Sequence, residues 1–149
     1  MATRLEVNPI IYSEDFDQLL NDIKADFQER STKGGRQHPY KAIQLLKEYQ
    51  IPSLQIPSGK QEKGASLEEL FAAVIKIAEA DPDVAHILRA HFMTVHSLLE
   101  APPTRLRERL LKEIQNGAII GNAYTENSKH KAGDRQYDTT LQKEGEKYI

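Results

Sequence analysis

Gly117-Ala118-Ile119-Ile120-Gly121-Asn122-Ala123-Tyr124-Thr125 is where the chain changes character. Before Gly117 the apolar residues recur at helical spacing, and from Ala118 they form a strand-like run. A second alternating stretch covers residues 137–141; Glu144-Gly145-Glu146 and Lys147-Tyr148-Ile149 then read as a turn and the return of a hairpin. A sheet of that size buries no face of its own. The spacing therefore predicts a mainly α chain. A helical domain, an antiparallel bundle, spans 1–117, and the start of a truncated β domain spans 118–149.

Five helices are expected upstream of the switch. Ser13 is a good N-cap, followed by Glu14 and Asp15 in the first turn, with Phe16, Leu19, Leu20, Ile23 and Phe27 on one face. Pro39 suits the first turn of a second helix whose Ala42, Leu45, Leu46 and Tyr49 face inward. Residues 51–64 read as a loop, either functional or mobile. Ser66 and Glu69 form a capping box that opens a helix with a wide apolar face: Leu67, Leu70, Phe71, Val74, Ile75 and Ala78. Asp81-Pro82 restarts the chain as cap and first-turn proline, and Ala101-Pro102-Pro103 ends that fourth helix. A fifth, with Leu106, Leu110, Leu111 and Ile114, closes at Asn116-Gly117.

Composition limits what such a chain does. Of 149 residues, 20 are Lys or Arg and 22 Asp or Glu, so a net charge of −2 gives no field that favours nucleic acid or an anionic membrane. Without cysteine, thiolate metal sites and cysteine nucleophiles are excluded. No apolar run approaches the roughly 18 residues that a spanning helix needs. The start, Met1-Ala2-Thr3-Arg4-Leu5-Glu6, lacks the apolar stretch of a signal peptide, so a cytoplasmic location is expected.

His91 is the first candidate for chemistry, since it lies with the apolar stripe of Val84, Ile87 and Val95. Two readings stay open: a core histidine with a hydrogen-bond partner, or an imidazole projecting into a ligand cavity where its pKa is tuned for proton handling. His86 and His96 are each five positions away, about 140° of helix rotation, so the three do not share a face and no histidine metal site is expected. His130 sits in a polar run without a visible ligand partner. The second candidate is the stretch from Gly121 to Asn127, rich in donors where the chain leaves the helices; the alternative is an edge strand with its polar residues in water. Arg105, Arg107 and Arg109 read as a solvated helix face.

Ala80-Asp81-Pro82-Asp83-Val84-Ala85-His86-Ile87-Leu88-Arg89-Ala90-His91-Phe92, followed by Gly117-Ala118-Ile119-Ile120-Gly121-Asn122-Ala123-Tyr124-Thr125-Glu126, resembles the acyl-CoA dehydrogenase superfamily. The order of elements is similar too: an N-terminal helical domain, then a strand ending in Thr-Glu that opens a middle β domain. The resemblance implies the N-terminal portion of a flavin-dependent oxidoreductase, with FAD or FMN held mainly by residues this chain does not carry. It implies that Asn122, Tyr124 and Thr125 contact the flavin, and that the whole enzyme is a homo-oligomer.

Where dehydrogenases follow Thr-Glu with Pro and a small turn, Asn127-Ser128-Lys129-His130-Lys131 stands here. Asn122 and His91 together are more similar to the flavin monooxygenase branch typified by dibenzothiophene monooxygenase. That branch implies His91 as a catalytic proton handler and a small sulfur or aromatic substrate in place of acyl-CoA. On either branch the 149-residue chain alone is expected to bind no flavin tightly and to be inactive. The alternative is a stand-alone helical interaction module without catalytic activity. The two differ at residues 119–124, where the flavoprotein fragment would expose an apolar strand edge able to pair with a second copy.

Overall fold

A computed structural model describes residues 9–35, 37–57, 64–121, 138–140, 142–145 and 147–148. They are mainly helical: α1 (Glu14–Thr32), α2 (Tyr40–Glu48), α3 (Leu67–Ala80), α4 (Pro82–Glu100) and α5 (Arg105–Gln115), with 3-10 turns at Pro9–Tyr12 and Ile51–Ser53. A two-stranded antiparallel ladder, β1 (Lys143–Glu144) and β2 (Lys147–Tyr148), pairs Lys143 with Tyr148 and Glu144 with Lys147. Gly145 supplies the positive φ (62°) of its tight turn.

Local chemistry sets the helix starts. The Ser13 hydroxyl accepts from the Phe16 N–H, and Glu14, Asp15 and Asp17 face the positive end of α1. At α3 the capping box is closed on both sides: Glu69 N–H to Ser66 Oγ at 3.2 Å and Ser66 N–H to the Glu69 carboxylate at 2.8 Å. Asp81 alone separates α3 from α4. Its Oδ1 accepts from the N–H groups of Asp83 and Val84, and Pro82 follows in the first turn, so one helix hands directly to the next. Pro39 takes the N-cap position of α2 rather than its first turn.

The core joins α1, α2, α3 and α4 through Phe16, Leu19, Ile23, Leu46, Ala73, Ile77, Val84 and Leu88, all fully buried. Two sequence expectations give way here. On α1 the fourth buried position is Asp26, not Phe27, because Asp26 anchors Arg30, and the Arg30 guanidinium lies 5.5 Å above the half-buried Phe27 ring. On α3 the inward face is Leu70, Ala73, Ile77 and Ala80, while Leu67, Phe71 and Ile75 are exposed. The helix is apolar over so wide an arc that periodicity fits both faces; small Ala73 and Ala80 permit close packing and decide between them.

The described part of the 51–64 stretch, residues 51–57 and Gly64, is no simple surface loop. Ile51, Pro52, Leu54, Gln55 and Ile56 are buried, and the Ala65 N–H donates to the Leu54 carbonyl at 2.7 Å. The chain returns so tightly at Gly64 that a Cβ there would collide with the Gln55 carbonyl. Gly64→Ala is expected to cost about 1–3 kcal/mol through this overpacking. Urea unfolding at constant m-value measures it, and an unchanged midpoint would contradict the close approach.

Candidate functional site

The switch at Gly117 is a helix stop with defined hydrogen bonds. Gly117, at φ +91°, donates to the Ile114 carbonyl (2.9 Å), and Ala118 donates to the Glu113 carbonyl (3.0 Å). These two bonds make a Schellman motif, which requires a left-handed residue at Gly117. The chain then runs back over α4 as far as Gly121. This stretch, 118–121, is not a strand, which corrects the expectation for the part of the run that is described. Its physical cause is the partner it meets, a side chain instead of a neighbouring strand.

That side chain is His91. The ring is fully buried, and both its nitrogens are engaged. Nδ1 accepts from the Ile120 N–H at 3.1 Å, and therefore carries no proton; Nε2–H then donates to the Pro52 carbonyl at 2.8 Å. One imidazole thus joins three chain segments: the 3-10 turn at Ile51–Ser53, α4, and the stretch beyond α5. Ile120 adds its side chain to a small apolar cluster with Ile56, Val95 and Ile114. Ile119 and Ile120 are half-buried, so the described part of the expected apolar edge is covered.

Burial pushes the His91 pKa below the usual 6.5, with the bond to the Pro52 carbonyl working against the shift. Protonation at Nδ1 would set two N–H groups against each other. In this arrangement the ring positions backbone and has no free nitrogen for a ligand.

The ends of α4 are held by side chains distant in sequence. At its N-terminus Asp81, fully buried, pairs through Oδ2 with the Arg30 guanidinium, which also bonds Asp26 at 2.9 Å. Burial opposes the Arg30 charge, but the carboxylates of Asp26 and Asp81 outweigh it and raise its pKa. At the C-terminus Arg107 donates to the carbonyls of Leu98 (2.6 Å) and Leu99 (3.3 Å), groups the helix leaves unpaired. Arg107 is thereby set apart from Arg105 and Arg109, which are exposed.

Asn122, Tyr124 and Thr125, and His130 with them, lie outside the described residues, as do the ends of the 137–141 stretch. His86 and His96 are exposed, on faces of α4 other than that of His91. Among the described residues no group of three or more His, Asp or Glu is placed to hold a metal ion, and no helix is long and apolar enough to cross a membrane. Sequence reasoning missed the Pro52 carbonyl and the Ile120 N–H, since backbone groups leave no signal in residue type. The only hint was a histidine on an apolar stripe, which demands partners from somewhere. Comparisons with protein-family models, with curated proteins and with solved structures find no match to this chain.

Proposed function

We propose that the chain is the helical portion, with the opening of the β unit, of an acyl-CoA-dehydrogenase-like flavoprotein oxidoreductase. The observation that carries this is the Ile120 N–H bond to His91. It fixes the backbone against α4 two positions before Asn122, the first of the residues that the resemblance assigns to a flavin. Tyr124 and Thr125 follow at once in the sequence. The mainly helical order of elements and the hairpin at β1 and β2 are compatible with it.

The flavin would supply hydride or electron transfer when bound. Of the described residues at this junction, His91 has no nitrogen to offer that ring, so the role its geometry supports is positioning, and no proton transfer is assigned to it. The reaction is then either dehydrogenation of an acyl thioester or oxygenation of a small sulfur or aromatic compound.

Flavin content tests the proposal. Protein expressed from the complete coding region is expected to carry FAD or FMN, read from its absorption spectrum after purification; a colourless preparation that takes up neither would overturn it. Anaerobic bleaching by an acyl-CoA would select the dehydrogenase, and substrate-dependent oxygen uptake the monooxygenase. The 149-residue chain alone is expected to stay colourless, and stoichiometric flavin on it would contradict the division of the site.

A further inference from the structure

The two links made by His91 differ in chemistry. Toward the turn at Ile51–Ser53 the ring donates, Nε2–H to the Pro52 carbonyl at 2.8 Å; toward residues 118–121 it accepts, Nδ1 from the Ile120 N–H at 3.1 Å. A second proton on the ring therefore acts oppositely on them. The Pro52 bond becomes charge-assisted and stronger. The Ile120 bond is lost, because an imidazolium has two donors and no acceptor. Little else holds that side: Ile119 and Ile120 are half-buried, Gly121 is exposed, and Ile120 lies against Ile56, Val95 and Ile114 as a partly buried neighbour.

No carboxylate stands by to stabilise the charge. The turn at Ile51–Ser53 and residues 118–121 contain no ionisable side chain, and neither do the α4 positions one turn away, Ile87, Leu88, Thr94 and Val95. From α5 the half-buried Arg107 is bonded to the Leu98 and Leu99 carbonyls, and from α2 the Lys47 side chain runs alongside Gly117; both are cations. Burial lowers the His91 pKa, the Pro52 carbonyl opposes that, and no ionised neighbour contributes.

We propose that the His91–Ile120 contact is a proton-operated latch: when Nδ1 takes up a proton, residues 118–121 leave α4 by pivoting at Gly117, while the five helices stay packed. Gly117, at φ +91°, is the turn from which the segment departs. The helices keep ties that do not involve the ring, namely the fully buried core of α1 to α4 and the Arg30–Asp81 pair. Such an opening is local and lies below the cost of global unfolding. Once the segment has left, Nδ1 meets water and holds its proton more easily than in the docked state. Falling pH therefore favours the released form, by up to about tenfold for each pH unit from about 6.5 down to the docked pKa. The latch does not rest on the flavoprotein proposal.

Amide and methyl NMR of the 149-residue chain, followed from about pH 7.5 to about pH 5, tests it. Ile119 and Ile120 are expected to move to the shifts of a flexible chain with a midpoint below about pH 6.5, while Ile23 and Ile77 keep their native shifts. His91→Gln offers an amide oxygen and nitrogen for the acceptor and donor but does not titrate, so its Ile120 signals should not change with pH, whether or not the segment docks. Ile120→Ala keeps the hydrogen bond but loses apolar contact, and should undock at higher pH than the parent. Four results would each overturn the latch: no undocking over this range, undocking of Ile120 only together with Ile23 and Ile77, a parent-like transition in His91→Gln, or an Ile120→Ala midpoint at or below the parent's.

Discussion

Asp81→Ala is expected to lower the unfolding free energy by about 3–5 kcal/mol, the range for breaking a buried ion pair by removing one partner. The carboxylate holds three partners at once: Oδ1 caps α4 by accepting from Asp83 and Val84, and Oδ2 pairs with Arg30. Losing the cap alone costs about 1 kcal/mol. The larger share comes from Arg30, whose side chain is 10% exposed and would keep only Asp26. Against a typical stability of about 5–15 kcal/mol this is a large fraction. Asp81→Asn separates the parts, since the amide oxygen still caps while the charge is gone, and it should cost less than the alanine change. Urea denaturation of the three proteins checks the order; a loss under about 1 kcal/mol for Asp81→Ala would mean that the pair contributes little.

His91→Leu is expected to cost about 2–4 kcal/mol, because it leaves the buried Pro52 carbonyl and the half-buried Ile120 N–H without partners, at up to about 1–3 kcal/mol each before relaxation. The effect should be uneven along the chain. Amide exchange at Ile120 would quicken strongly, while amides in the middle of α1 would follow only the global loss.

The same residue predicts a pH dependence. Its folded pKa lies below the unfolded value near 6.5, so the unfolded chain binds the extra proton first. Its contribution is therefore complete above about pH 6.5 and is lost as the pH falls from there through the folded pKa, with a limiting slope of about 1.4 kcal/mol per pH unit. His91→Leu should remove that slope. If the variant and the parent lose stability in parallel over that range, His91 is not the group responsible.

What was legible in the sequence was local. Ser13, the Ser66–Glu69 box, Asp81-Pro82 and Gly117 each act on backbone within a few positions, and each appears where its chemistry requires. The inward face of α3 was not legible, because a helix apolar at Leu67, Phe71 and Ile75 as well as at Leu70 and Ile77 can turn either way. Nor was the Asp26–Arg30–Asp81 network, which closes across 51 residues between groups that would each be called solvent-facing alone. The strand-like text after Gly117 fails for a related reason. Ala118-Ile119-Ile120 suits a strand and a buried irregular segment equally, and the Schellman turn delivers it to a histidine. His91 is buried beside Val84 and Val95, whereas Ile87, of the same apolar stripe, is exposed; of the two readings of His91, the contacts match the buried, hydrogen-bonded one.

Nitrogen NMR of the His91 ring tests the central claim most directly, that this imidazole is a neutral pin between Pro52, α4 and Ile120. The expected result at neutral pH is the tautomer with the proton on Nε2, an Nδ1 shift typical of an acceptor nitrogen, and a coupling across the hydrogen bond to the Ile120 amide. On acidification the ring should take up its proton only below the usual pH 6.5, because burial disfavours the charged form. A ring that titrates near 6.5 with both nitrogens exchanging freely would contradict the account and return His91 to the role of a proton handler open to a ligand.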